Sequence, residues 1–272
     1  EAARLRQEII REAPQNIGAL ILLGRVALDG GNHDSAVIHF LKALSIDQLN
    51  SEAHYYLGRV YLELGDGQKS SDHFSAALRA SSDKLSICKN LGVIFMDKGL
   101  LEKAEAEFQR AIAIKGDDPF TLNNMGKLLV LQNRREEGIE SFKKALAAQP
   151  DYGYAHYNLG KTYRELKDYP KAIYHLLFCL KYEPEDIYAM NSLGRTFLEA
   201  GLHENSRELF HKVLSRHDQV DGYALWGLAQ CDELMDDREA ALASYQRLLQ
   251  ASKDNKALQE IAKSKITALR GR

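Results

Sequence analysis

The chain has 272 residues, 45% of them hydrophobic and 27% charged, with 36 basic and 38 acidic side chains and a formal charge of −2. That composition argues against disorder, and the near-neutral charge excludes a whole-molecule field for nucleic acid, leaving only a local patch open. No apolar run of about eighteen residues occurs, so no membrane span is expected, and the 3 cysteines, Cys88, Cys179 and Cys231, lie too far apart to suggest a disulfide framework.

In chain order, residues 1–16 read as the second helix of a preceding repeat, with Ala2, Ile9 and Pro14 in register. Gly24, Gly58, Gly92, Gly126, Gly160 and Gly194 then recur at steps of 34 residues, inside "LLGRVAL", "YLGRVYL", "NLGVIFM", "NMGKLLV", "NLGKTYR" and "SLGRTFL". A period of 34 with a small residue at a fixed place predicts paired helices stacked in series. With Gly24 at position 8, full repeats cover 17–50, 51–84, 85–118, 119–152, 153–186 and 187–220. A one-residue slip near Asp221 precedes a seventh repeat at 222–255, whose position 8 is Ala229. Residues 256–272 read as an amphipathic helix closing the stack.

Three further columns share this register. Position 7 holds Leu23, Leu57, Leu91, Met125, Leu159, Leu193 and Leu228; position 24 holds Phe40, Phe74, Phe108, Phe142, Leu176, Phe210 and Tyr245. Position 20 is small: Ala36, Ser70, Ala104, Gly138, Ala172, Ser206 and Ala241. Small residues at 8 and 20 let two helices approach, and the large ones fill the space to the next pair. The turn at position 15 is Gly31, Gly65, Gly99 and Gly201, where positive φ is expected; Asn133 suits that turn, Lys167 and Asp236 less so.

This pattern resembles the tetratricopeptide-repeat family over nearly the whole chain. The resemblance implies an all-α, right-handed superhelical solenoid of antiparallel helix pairs, one domain over 1–272. It also implies that the first helix of each pair lines a concave groove, with positions 2, 5, 6, 9, 12 and 13 facing a ligand. Position 2 carries Phe120, Tyr154, Tyr188 and Tyr223 in the last four repeats, and position 5 adds Asn123, Tyr157, Asn191 and Trp226. These aromatics either grip a partner at low entropic cost or pack on the preceding loop. Position 6 places Asn90, Asn124 and Asn158 in one column. Such a row could hold an extended peptide backbone, as asparagine ladders do in O-linked N-acetylglucosamine transferases and kinesin light chains, or cap nearby carbonyls.

Position 9 supplies Lys127, Lys161 and Arg195, with Arg164 at position 12. Asp29, Glu63, Asp97, Glu165 and Glu199 stand at position 13. The bases either pair with these acids along one helix face or receive acidic or C-terminal carboxylate groups of a partner. Leu131 interrupts the acidic column beside Lys127. The carboxylate clamp of Hsp90-type co-chaperones needs asparagine four residues after the position-5 lysine; Lys89 is followed there by Val93, which disfavours that reading.

Catalytic chemistry is not expected. The nine histidines form no HExxH or zinc spacing, and His54, His156 and Cys88 at position 4 and Cys179 at 27 read as packing residues. Gly65–Asp66–Gly67 reads as a turn, not a phosphate loop. No cofactor is expected. The expected role is a protein–protein interaction scaffold that binds an extended peptide or partner segment, in the cytoplasm. Self-association through terminal helices, or service as the substrate-recognition region of a larger enzyme such as a glycosyltransferase, are the alternatives.

Overall fold

The structure is a computed structural model that describes residues 15–216, 221–253 and 255–271. The half-repeat expected at 1–16 falls almost wholly outside these residues, as does the loop where the register slips. Among the described residues all regular structure is helical, and the chain divides into two compact units, Glu1–Gly116 and Asp117–Arg272.

The first unit holds α1 (Ile17–Asp29), α2 (His33–Ile46), α3 (Ser51–Glu63), α4 (Gly67–Ala80), α5 (Lys84–Asp97) and α6 (Leu101–Ile114). The second holds α7 (Pro119–Leu131), α8 (Arg135–Ala148), α9 (Gly153–Glu165), α10 (Tyr169–Tyr182), α11 (Ile187–Glu199), α12 (His203–Arg216), α13 (Gly222–Leu234), α14 (Arg238–Ala251) and α15 (Lys256–Arg270). Consecutive helices pair off as the 34-residue period predicts. Most begin at an Asn or Asp whose side chain accepts from the first-turn backbone: Asn50 from Ala53, Asp168 from Lys171 and Asp221 from Tyr223 and Ala224. Each such cap contributes about 1 kcal/mol and sets where its helix starts.

The glycine column makes close approach possible. A Cβ on Gly92 would lie 2.4 Å from the Phe108 ring, and one on Gly126 would lie 2.5 Å from Phe142. Phe108 and Phe142 are fully buried in those slots. Where position 20 is serine, the hydroxyl serves the same contact: Ser70 and Ser206 donate to the carbonyls of Gly58 and Gly194 at 2.9 and 2.7 Å. The turn expectation holds too. Gly31, Gly65, Gly99 and Gly201 have φ of 72 to 78°, and Asn133, Lys167 and Asp236 adopt φ of 65, 60 and 62°. The position therefore imposes its conformation even on side chains that disfavour it.

At the C-terminal end α15 buries Leu258, Ala262, Ile266 and Leu269 in one cluster with Leu225, Tyr245 and Leu248 of α13 and α14. Lys265 reinforces it, 2.8 Å from Glu233. The apolar side of this helix is thus occupied within its own chain. Among the described residues no helix is long and apolar enough to cross a membrane.

Candidate functional site

The aromatic, basic and amide residues from Phe120 to Trp226 expected to face a ligand lie in the second unit, on α7, α9, α11 and α13; Asn90 of the amide column lies on α5 of the first. Their exposure follows from helix geometry: positions 4, 7 and 8 turn inward, and position 2 is left outside. Phe120, Tyr154, Tyr188 and Tyr223 are 36%, 71%, 77% and 63% exposed. Three tyrosines standing this far into solvent form an aromatic row that no core requirement explains.

Between α9, α11 and α13 a cleft of about 560 Å³ opens. Lys161, Arg164 and Arg195 form its basic side, and Tyr157, Tyr188, Tyr223 and Trp226 its aromatic side. Arg195 is held from three directions. Its Nε meets Glu199 at 2.8 Å, its Nη1 donates to Gln230 Oε1 at 2.7 Å, and its guanidinium lies 5.3 Å from the Trp226 ring centroid. Arg164 reaches the same Glu199 at 3.9 Å, and Lys161 sits 5.4 Å from the Tyr157 ring centroid. Pre-positioning these long side chains lowers the entropy lost when an anion binds.

The acids that share these helices do not neutralise the cleft. Arg195–Glu199 closes within one helix, but Glu165 turns to Arg135 of the preceding pair at 3.4 Å. Lys161 is left without a carboxylate partner among the described residues. Asp221 is occupied as the cap of α13 and as acceptor from Asn191 Nδ2 at 2.7 Å. The Oδ1 of Asn191 has no donor among the described residues, an unmet acceptor in the cleft wall. Lys127 on α7 is exposed and lies outside this cleft.

The asparagine column is arranged differently from a free ladder. Asn124 is buried and donates to the Phe120 carbonyl one turn back, at 2.9 Å. Asn158 donates to Asn123 Oδ1 at 2.8 Å, and Asn123 is itself buried. The Asn158–Asn123 bond ties one repeat to the next and the Asn124 bond closes within its own helix, so the polar floor these amides build is largely satisfied within the chain. Ser192 continues the row by meeting the Tyr157 hydroxyl at 3.3 Å.

A second constellation occurs twice, once in each unit. In α9 and α10, His156 Nδ1 and His175 Nδ1 are 2.9 Å apart, and His156 Nε2 is 3.1 Å from the Pro150 carbonyl. His54 and His73 in α3 and α4 repeat this at 2.9 Å, with His54 Nε2 3.1 Å from the Gln48 carbonyl. The carbonyl requires N–H at Nε2, so Nδ1 of His156 accepts and Nδ1–H of His175 donates. Tyr163 and Tyr61 stack on His175 and His73. Burial holds both His156 and His175 below the usual histidine value, His175 at about 4 with His156 adding to it, and His73 is likewise lowered by burial.

The sign follows from linkage. A histidine with a depressed folded pKa leaves the unfolded chain binding more protons, so its contribution is full above pH about 6.5 and is lost as pH falls towards 4. Because the His175 ring is only partly enclosed, the expected loss is about 1–2 kcal/mol for the His156–His175 pair across that window. The double change His156→Leu with His175→Ser copies Leu122 and Ser141 of the preceding repeat, where Ser141 donates to the Leu122 carbonyl at 2.8 Å. Urea unfolding at pH 7 and 4.5 should show that this variant is folded and less pH-sensitive than the parent; equal sensitivity would remove the pair from the account.

The thiols are inert packing groups: burial pushes Cys88 to about 11 and Cys179 to about 12, and raises Cys231. Among the described residues no group of histidine, cysteine and carboxylate side chains could hold a metal ion.

Comparison with known proteins agrees with the repeat. A tetratricopeptide-repeat profile matches residues 1–51, 123–177 and 191–256, and two further profiles of the same description match 39–69 and 85–118. No curated protein sequence matches the chain. Among solved structures, a tetratricopeptide repeat protein from Parabacteroides merdae aligns with a TM-score of 0.65 at 15% identity, over 93% of this chain and 98% of that one. Yeast Tom70 aligns with a TM-score of 0.68 at 15% identity over 99% of this chain, which spans 58% of Tom70. Pseudomonas aeruginosa PilF aligns with a TM-score of 0.55 at 17% identity, over 95% of this chain and 99% of its own. At these identities the likeness is one of fold.

Proposed function

The chain belongs to the tetratricopeptide-repeat family, and from that premise we propose that it is an interaction scaffold whose second unit holds an extended, acidic peptide segment of a partner protein. The observation that carries this is the convergence of Lys161, Arg164 and Arg195 on one cleft walled by Tyr157, Tyr188 and Trp226. Aromatic walls bury peptide side chains at small entropic cost, and three cations outnumber the carboxylates of Glu199, which Arg164 and Arg195 share, and Asp221, which caps α13, so an anionic group between them is favoured. The exposed row from Phe120 through Tyr154 and Tyr188 to Tyr223 gives the segment further contacts along successive first helices. Asn123 and Asn158 serve this reading by tying α7 to α9, and Asn124 by bonding back to Phe120 within α7. Lys127 adds an exposed positive charge toward the α7 end.

A random-peptide display library selected on the full chain tests this. Peptides enriched by the parent should carry Asp, Glu or a free C-terminus, and Lys161→Ala with Arg164→Ala should lose them. Identical enrichment by both proteins would overturn the assignment.

A further inference from the structure

On the other side of Tyr157 and Tyr188 lies a second cleft of about 370 Å³ with the opposite electrostatic character. It forms where α10 ends and α11 begins. Tyr152, Tyr154, Tyr182 and Tyr188 present their rings around it. Tyr154, Tyr182 and Tyr188 are each more than half exposed, and the Tyr152 and Tyr154 rings are 5.7 Å apart and inclined at 60°. Asp151, Glu183 and Asp186 add three carboxylates and no basic side chain lines the cleft. Asp186 spends one oxygen capping α11, on Tyr188 N at 2.8 Å and Ala189 N at 3.3 Å. Asp151 and Glu183 are exposed.

The back wall is neutral and closed. Cys179 Sγ donates to the Gly153 and His175 carbonyls at 3.5 and 3.4 Å, and burial, helped by the charges of Asp186 and Glu183, keeps its thiol protonated. Tyrosine faces are electronegative, so rings and carboxylates act together on a cation. Lys181 shows the contact within the chain: its ammonium sits 5.4 Å from the Tyr182 ring centroid.

We infer that this tyrosine-and-carboxylate cleft is a binding site for a cationic side chain, arginine or lysine, of a peptide ligand. Asp151 and Glu183 supply charge, and the tyrosine rings supply the planar surface on which a guanidinium stacks. The inference extends the groove reading, since the two clefts share Tyr157 and Tyr188. A ligand spanning both carries a basic residue close to an acidic one. It nevertheless rests on different charged residues and can fail separately.

The test is a nuclear magnetic resonance titration of the full chain, isotope-labelled at tyrosine, with N-acetyl-arginine amide. The neutral isostere N-acetyl-citrulline amide is titrated in parallel. Arginine should shift the rings of Tyr154 and Tyr182 saturably, and citrulline should bind at least about fivefold more weakly. Asp151→Asn with Glu183→Gln should weaken arginine by about fivefold and leave citrulline unchanged. Lys161→Ala with Arg164→Ala should leave arginine binding at this cleft intact, so a failure of the anionic cleft reads out independently. Equal binding of the two probes, or an unchanged arginine titration in the Asp151 and Glu183 variant, overturns the inference.

Discussion

Phe210→Ala is expected to destabilise the chain by about 3–5 kcal/mol, the range for removing a buried aromatic ring. Phe210 is 2% exposed and is held between two glycines: a Cβ on Gly194 would lie 2.8 Å from its ring, and a Cβ on Gly227 only 2.3 Å. Gly194 belongs to the same repeat and Gly227 to the next, so one ring fastens α11, α12 and α13 together. Removing it leaves a cavity among three helices that backbone contacts hold apart, and collapse cannot fill it cheaply. Phe210→Leu should cost less, about 1–1.5 kcal/mol, because Leu176 already fills the equivalent slot against Gly160. Urea unfolding followed by circular dichroism reads both, and a loss under about 1 kcal/mol for the alanine variant would contradict the fastening role.

The second large effect concerns binding. Lys161→Glu with Arg164→Glu should weaken an acidic peptide chosen by the parent protein by about a hundredfold at low salt, because like charges placed across an interface cost several kcal/mol. Part of that loss should disappear at high salt, since these side chains are only half-buried in an open cleft and are screened within a Debye length of about 8–10 Å. Stability should change little: Lys161 has no carboxylate partner among the described residues, and Arg164 holds Glu199 only at 3.9 Å. Fluorescence anisotropy with a labelled peptide at two salt concentrations measures it. A loss below threefold at low salt would place the peptide elsewhere.

Much of the fold is legible in the sequence because a repeat reports the same packing rule several times. Gly24, Gly58 and Gly92 meet Phe40, Phe74 and Phe108 in one geometry, so each repeat checks the last. Phe210 adds a contact outside that column: besides Gly194 of its own repeat, its ring meets Gly227, at position 6 of the next. A column of equivalent positions cannot show a contact that crosses between repeats. The aromatic row was legible for the same periodic reason, since position 2 projects outward on every first helix. The amide column was not. Asn124 finds the Phe120 carbonyl and Asn158 finds Asn123, partners that depend on side-chain reach rather than on register. Glu165 likewise leaves its own helix for Arg135. The acidic cleft escaped because Asp151, Tyr152, Glu183 and Asp186 fall at the turns between pairs, outside the columns that line first helices. The only trace in sequence is the clustering of tyrosines and acids in "PDYGY" and "KYEPEDIY".

The claim that the first-helix face of the second unit takes the peptide is tested most directly by photo-crosslinking. A benzophenone amino acid replaces Tyr188 on α11 in one protein and Tyr174 on α10 in another; both side chains are well exposed, at 77% and 62%. With a library-selected acidic peptide, the account expects a covalent adduct from position 188 that excess unlabelled peptide abolishes, and none from position 174. An adduct from 174 with none from 188 would contradict it.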